Sequence, residues 1–224
     1  MGLYAKFLVI LFVAAAAGCS VVSSSTAGVD IAALAPTPAK AATPAGMQTA
    51  VFAGGCFWGI EAVFEHVKGV TDVRSGYSGG EEKDAKYDKI SSGKTGHAEA
   101  VKITFDPAQV NYIQLLTVFF AVAHDPTEVD RQGPDLGPQY RSEIFYTDAV
   151  QKQAAEAYID AINKSKALPK PVATKVSPLT QFFEAESYHQ DYMAKNPSDP
   201  YIVINDKPKV EDLKKRFPEL YKSK

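Results

Sequence analysis

Residues 49–59, Thr49-Ala50-Val51-Phe52-Ala53-Gly54-Gly55-Cys56-Phe57-Trp58-Gly59, join two different periodicities, and the junction decides how the chain is read. Residues 49–53 are short, apolar and β-branched, which predicts a buried strand. Beyond them Ile60, Val63, Phe64 and Val67 recur at i, i+3, i+4 and i+7, one face of an amphipathic helix. Cys56 therefore falls where a strand ends and a helix begins. Unpaired N–H groups and the helix dipole at such a point favour a thiolate over a thiol. The flanking glycines allow close approach of backbone and substrate, and Phe57 and Trp58 can line an apolar pocket beside the sulfur. The same residues also fit an inert buried cysteine with two core aromatics. The glycines and the helix-start position favour the reactive reading.

The chain has 224 residues, 46% hydrophobic and 22% charged, with a formal net charge of −2. That balance gives no sign of a nucleic-acid partner. Its beginning is unusual. Residues 1–6 carry one Lys, residues 7–17 are an unbroken apolar run, and Gly18-Cys19 closes it, as in an export signal too short to span a membrane. Ala16-Ala17-Gly18-Cys19 resembles a bacterial lipobox, with Ala16 where leucine is usual, so Cys19 is expected to carry lipid. Plain cleavage and a soluble periplasmic product is the alternative. Residues 20–46, rich in Ser, Ala, Thr and Pro, read as a disordered tether, leaving 47–224 as one folded unit. The expected location is the periplasm or envelope of a bacterium. With Cys19 lipidated or removed, Cys56 has no partner in its own chain, and an exported protein with one free cysteine carries a reactive thiol or an orphan.

Downstream, a turn and strand cover 69–77, and a polar loop over 78–94 carries Tyr87. Residues 97–106 alternate strictly, with Glu99, Val101, Ile103 and Phe105 on one face. An unpaired carboxylate on that apolar face would have a raised pKa, and a neutral buried carboxylic acid is what a general acid requires; a Glu99 that simply turns to solvent at the strand's start is the other reading. Asp106-Pro107 reads as the start of a helix running to His124-Asp125-Pro126. Residues 131–141 are a Gly/Pro-punctuated loop, followed by a strand at 142–146, a helix at 148–163, a strand at 172–179, and helices at 184–193 and 210–217. Strands and helices mix without regular βαβ alternation, which points to an α+β layered domain. The four histidines, 66, 97, 124 and 189, lack zinc-ligand spacing, and no metal site is expected.

The motifs Gly54-Gly55-Cys56-Phe57-Trp58-Gly59, Gly76-Tyr77-Ser78-Gly79-Gly80, residues 95–101 (Thr-Gly-His-Ala-Glu-Ala-Val), His124-Asp125-Pro126, Asp130-Arg131-Gln132-Gly133, Gln139-Tyr140-Arg141-Ser142, residues 185–190 and Lys195-Asn196-Pro197 resemble the methionine sulfoxide reductase A family, in family order, over about 49–200. The resemblance implies a two-layer α/β sandwich with a mixed sheet, a ferredoxin-like core and long loops at the active site. It implies that Cys56 attacks the sulfoxide sulfur, that Phe57 and Trp58 hold the substrate methyl group, and that Glu99 protonates the oxygen with help from Tyr87 and Tyr140. Asp135 matches an acidic loop residue thought to orient substrate or water. The implied substrates are the S epimer of methionine sulfoxide, free or in oxidised proteins, with no bound cofactor and an external thiol as reductant, thioredoxin-like or dithiothreitol. A monomer is expected. Family members commonly carry resolving cysteines after the Asn-Pro element, and residues 197–202 here have none.

Two other readings stand beside it. A cysteine hydrolase would use His189 as its base, but the local cysteine signature of papain-like enzymes is absent. A non-catalytic lipoprotein could bind oxidised or methionine-rich peptides in the aromatic pocket, though it would have no need of a thiol at a helix start.

Overall fold

In the computed structural model, residues 30–37 and 46–224 are described. The export-signal reading, Cys19 and most of the tether lie outside them. Strand β1 (Gln48–Gly54) leads into helix α1 (Phe57–Glu65), β2 (Val70–Ser78), the one-turn helix α2 (Tyr87–Ile90) and β3 (Ala98–Phe105). Helix α3 (Tyr112–Val118) widens into a π-helical turn, Phe119–Ala123. A two-stranded ribbon of β4 (Arg131–Gln132) and β5 (Asp135–Leu136) precedes β6 (Ser142–Tyr146), α4 (Ala149–Ser165), β7 (Lys175–Pro178) and β8 (Phe182–Glu184). The chain ends in α5 (Tyr192–Lys195), a π-helical turn (Ile202–Asp206) and α6 (Lys207–Arg216).

The main sheet has the order β7-β6-β1-β3-β2-β8. Its central four strands, β6-β1-β3-β2, pair antiparallel, with α1 linking β1 to β2 and α3 lying between β3 and β6. This is the ferredoxin-like arrangement expected from the family resemblance, extended by parallel β7 on one edge and antiparallel β8 on the other. The alternation read in residues 98–105 holds. Val101, Ile103 and Phe105 face the helical layer with Phe52, Phe64, Leu115, Leu116 and Phe119, while Ala98 and Ala100 face the opposite side with Val51, Ala53 and Phe145. Residues this apolar and branched pack a pleated surface, and burying them drives the two layers together. Among the described residues no helix is long and apolar enough to cross a membrane.

Four expectations need correction. Asp106 does not cap α3: its carboxylate closes a separate turn, taking the Ala108 N–H at 2.9 Å, and the helix cap, Asn111, comes five residues later. There Asn111 and Gln114 exchange side-chain and backbone hydrogen bonds in a capping box. Residues 184–193 are not one helix. They run from β8 through turns, and Gln190 spends its amide on the Ser75 backbone at 3.0 and 2.9 Å, which pins an irregular segment to β2. The 131–141 loop contains the β4–β5 ribbon and a 3-10 turn, Pro138–Tyr140. Within the expected tether, Ile31–Leu34 form a 3-10 turn that packs against the core, with Tyr158 donating its hydroxyl to Ile31 O at 2.9 Å and Asp30 paired with Arg216 at 3.2 Å. Ile31, Ala32 and Leu34 of this run are partly buried against the core, which the surrounding composition does not suggest.

Phe52 sits at the centre of the sheet, fully buried, stacked on Phe119 at 4.8 Å and against Phe64 at 5.6 Å. Phe52→Ala is expected to cost about 3–5 kcal/mol of unfolding free energy, read from urea denaturation. A loss under about 1 kcal/mol would contradict this view of the core.

Candidate active site

Cys56 occupies the cap position of α1 at the end of β1, and only 8% of it is exposed. The turn depends on Gly55, whose φ of +100° suits a residue without Cβ, and a Cβ there would fall 2.6 Å from the Gln132 side chain. The first turn of α1 then delivers Phe57 N–H to Glu99 Oε2 at 3.1 Å, tying the cysteine-bearing turn to β3. Glu99 is 2% exposed. Burial pushes its carboxyl up to about 8, opposed by the Phe57 N–H and reinforced by Asp135. At neutral pH it therefore holds its proton.

The thiol behaves differently from the simple helix-start expectation. Burial raises Cys56 well above the usual thiol range, and the Glu99, Asp206 and Asp135 carboxylates act in the same direction. The Trp58 N–H lowers it, as a helix N-terminus should, but is outweighed. The resting sulfur is a neutral thiol.

Aromatic residues surround this pair. Phe57 is buried, with Tyr77 at 5.8 Å and His189 at 4.9 Å. Trp58 is half-buried and stacks flat on Tyr192, ring centres 3.7 Å apart and 7° from parallel, an arrangement worth about 0.5–1.5 kcal/mol beyond the area it buries. Its indole N–H donates to His189 Nδ1 at 3.1 Å. Tyr87, at the start of α2, lies 4.4 Å from the His189 ring, and its backbone N–H is held by Glu186 at 3.0 Å. Burial, with the Glu99 and Cys56 charges adding to it, pushes the Tyr87 phenol up to about 12 and Tyr140 higher still, so both remain hydroxyl donors. Asp135 accepts the Tyr201 hydroxyl at 2.5 Å, which joins the β4–β5 ribbon to the segment before α6.

Of the residues picked from the sequence, Phe57 is bonded to Glu99, Trp58 and Tyr87 meet at the His189 ring, Asp135 and Tyr140 are near enough for the Glu99 charge to act between them, and Cys19 lies outside the described residues. Sequence reasoning missed Tyr192, Tyr201 and Asp206, and gave His189 only a hydrolase role. Its ring instead braces Trp58. The signal available for them was the run of tyrosines at 188, 192 and 201 beside the motif His189-Gln190, which by itself names no partner. The other histidines serve structure: His124 is buried on Phe119 with Nε2 2.7 Å from Ser142 Oγ and its pKa pushed down to about 4 by burial, and His97 contacts Glu81 O.

The family model for peptide methionine sulfoxide reductase matches residues 48–221. A protein of Mesorhizobium japonicum named peptide methionine sulfoxide reductase MsrA 2 is 54% identical over 179 residues, 80% of this chain and 92% of that one. The protein of the same name from Synechocystis is 51% identical over 181 residues, 81% and 85% of the two chains. Among solved structures, methionine sulfoxide reductase A of Corynebacterium diphtheriae aligns with a TM-score of 0.59 at 31% identity, covering 74% of this chain and 85% of that one. Reduced Mxr1 from Saccharomyces cerevisiae aligns with a TM-score of 0.62 at 32% identity, covering 70% and 89%.

The buried acid has a measurable signature. A carboxyl whose folded pKa lies above its unfolded value binds more protons when folded, so its contribution to stability falls as pH rises from about 4.5 to 8. Glu99→Gln, which mimics the protonated form, is expected to stabilise the fold more at pH 8 than at pH 5, by about 1.4 kcal/mol for each unit of pKa shift removed. Chemical denaturation at the two pH values reads this, and an equal effect at both would contradict a raised Glu99.

The family match over residues 48–221, together with the 54% identity to the Mesorhizobium japonicum protein, shows that this chain belongs to the peptide methionine sulfoxide reductase family.

Proposed function

We propose that the protein reduces methionine sulfoxide, free or within oxidised proteins, through attack of Cys56 on the sulfoxide sulfur. The observation that carries this is the pairing of a single buried thiol with a protonated carboxyl across the Phe57–Glu99 hydrogen bond, within an aromatic enclosure. A sulfoxide oxygen leaves only when protonated, and a sulfoxide carries no charge to demand an ionised site. A neutral acid beside a neutral thiol suits that substrate.

In the first step Glu99 and the hydroxyls of Tyr87 and Tyr140 hydrogen-bond the sulfoxide oxygen, and the proton passes to it. The Cys56 sulfur then bonds to the activated sulfoxide sulfur as its own proton returns to the Glu99 carboxylate. The oxygen then moves from the substrate sulfur to the Cys56 sulfur as the bond between the two sulfurs breaks, giving the sulfide, methionine, and a cysteine sulfenic acid; the substrate gains the two electrons that Cys56 loses. Phe57 and Trp58 enclose the methyl group, with His189 and Tyr192 fixing the indole plane. Asp135, held by Tyr201, orients substrate or water at the mouth. The expected epimer is S at sulfur.

Cys56 is the only free cysteine among the described residues, so the sulfenic acid is returned to thiol from outside. One external thiol displaces water to form a mixed disulfide, and a second releases Cys56. A thioredoxin-like protein fits this role in a cell and dithiothreitol in vitro. Export, a lipid on Cys19 and an envelope location belong to the same reading and rest on residues 1–19 of the sequence alone.

With a methionine S-sulfoxide substrate and dithiothreitol, Cys56→Ser is expected to abolish turnover and Glu99→Gln to lower kcat about 10²–10³-fold at pH 7. Persistent turnover in Cys56→Ser would overturn the assignment of the nucleophile. Full kcat in Glu99→Gln would remove Glu99 as the acid.

A further inference from the structure

The mechanism above uses Tyr140 and leaves its two neighbours, Gln139 and Arg141, without a part. Both reach, through their side chains, segments that carry other residues of the site. The Arg141 guanidinium is largely buried. Its Nε donates to Glu143 Oε2 at 2.6 Å, its Nη1 to Pro138 O at 2.9 Å and its Nη2 to Gly96 O at 3.0 Å. Pro138 opens the 3-10 turn that ends at Tyr140, and Gly96 lies two residues before β3, the strand of Glu99. Glu143 is itself buried on β6, and its second oxygen accepts the Ser177 hydroxyl of β7 at 2.6 Å. Gly79, with a φ of +94°, leaves the space for the guanidinium, since a Cβ there would fall 2.8 Å from Arg141 Nη2.

Gln139 works on the other side of the turn. It is buried, and its Nε2 donates to Ser91 O at 3.3 Å, in the residue that follows α2, the helix of Tyr87. It fits against Gly93 and Gly137, where a Cβ would come 2.9 and 2.2 Å from Gln139 Oε1. The turn that ends at Tyr140 is thus fastened to the loop after α2 through one neighbour and to the approach to β3 through the other. The Tyr140 phenol is raised first by burial and then by the Glu99 carboxyl, in keeping with a hydroxyl turned toward that acid.

We propose that Arg141 is a positioning residue for the Tyr140 hydroxyl: by clamping Pro138 O and Gly96 O together against Glu143, it sets that hydroxyl at the sulfoxide oxygen that Glu99 protonates. This rests on Tyr140 donating to that oxygen in the reaction proposed above. Arginine suits the task and lysine does not. A guanidinium is a planar fork whose donors point in fixed, divergent directions, whereas an ammonium is a single point of charge. Acceptors on separate segments around the fork fix both the distance and the tilt of the turn. A hydroxyl that helps at the transition state must be held closely, because a displacement of about 1 Å can cost about 10²-fold in rate.

A double-mutant cycle separates this role from a general effect on the fold. Turnover of a methionine S-sulfoxide with dithiothreitol is measured in wild type, Arg141→Lys, Tyr140→Phe and the double variant, each checked for native near-ultraviolet circular dichroism. Glu143→Gln, alone and with Tyr140→Phe, runs the same cycle with the guanidinium left in place, and carries the test if Arg141→Lys does not fold. Arg141→Lys is expected to lower kcat about 10–10²-fold, with KM within about twofold of wild type. With the Tyr140 hydroxyl already removed, the same substitution should cost less than about threefold, because residues acting through one group are not additive. Glu143→Gln should repeat the pattern with a smaller loss. An equal loss of kcat with and without the Tyr140 hydroxyl, or wild-type kcat in Arg141→Lys or in Tyr140→Phe, would overturn the proposal. Turnover in Cys56→Ser tests the reaction itself, so the two failures are told apart.

Discussion

The hydrogen bond from Phe57 N–H to Glu99 Oε2 is the contact on which the site depends. It joins a helix start to a central strand, and both partners are almost fully buried. Because Glu99 lies on the helix-facing side of β3, it has no access to water that would let it ionise cheaply, and the single N–H it receives is too little to offset desolvation. A proton stays on the carboxyl at neutral pH. The same burial keeps the proton on Cys56. Two neutral groups, an acid and a thiol, are thereby held in one buried site suited to a polar neutral substrate.

The C-terminal third of the chain, which adds only the edge strands β7 and β8 to the sheet, supplies much of the enclosure. Residues 182–192 cross the end of β2, anchored by Gln190 to Ser75 and by Glu186 to both the Tyr77 hydroxyl and the Tyr87 N–H. This crossing brings His189 and Tyr192 onto Trp58 from two sides, one by a hydrogen bond and one by stacking. Further on, Tyr201 reaches Asp135, and Asp206 closes beneath α1. The catalytic motif lies near the start of the domain, but its walls come from segments about 130 residues later, so the site forms only when the whole domain has folded.

Much of this was legible in the sequence because it is local. The strand–cysteine–helix junction at 49–59 and the two-residue alternation of 98–105 each encode their own geometry, and the second correctly placed Glu99 inside. What escaped was long-range. The helix period suggested over 184–193 was overridden by the Gln190 and Glu186 side chains, which bind backbone on other elements. The charge state of Cys56 could not be read from its helix position, since three carboxylates from distant segments and the surrounding burial outweigh one backbone N–H. The docking of residues 31–34 depends on Tyr158 and Arg216, far along the chain. Asp206 and Lys209 look like an ordinary i,i+3 surface pair until Gly59 is seen to face them.

A single-turnover experiment tests the central claim, that one sulfur does the chemistry and finds no partner in its own chain. Reduced full-length protein is mixed with excess methionine S-sulfoxide in the absence of any thiol. Methionine is quantified, and the intact protein and its peptides are weighed with and without a sulfenic-acid trap. The expected result is one equivalent of methionine per chain, with Cys56 gaining one oxygen or the trap adduct. Release of a second equivalent, or conversion of Cys56 to an intrachain disulfide, would contradict the account.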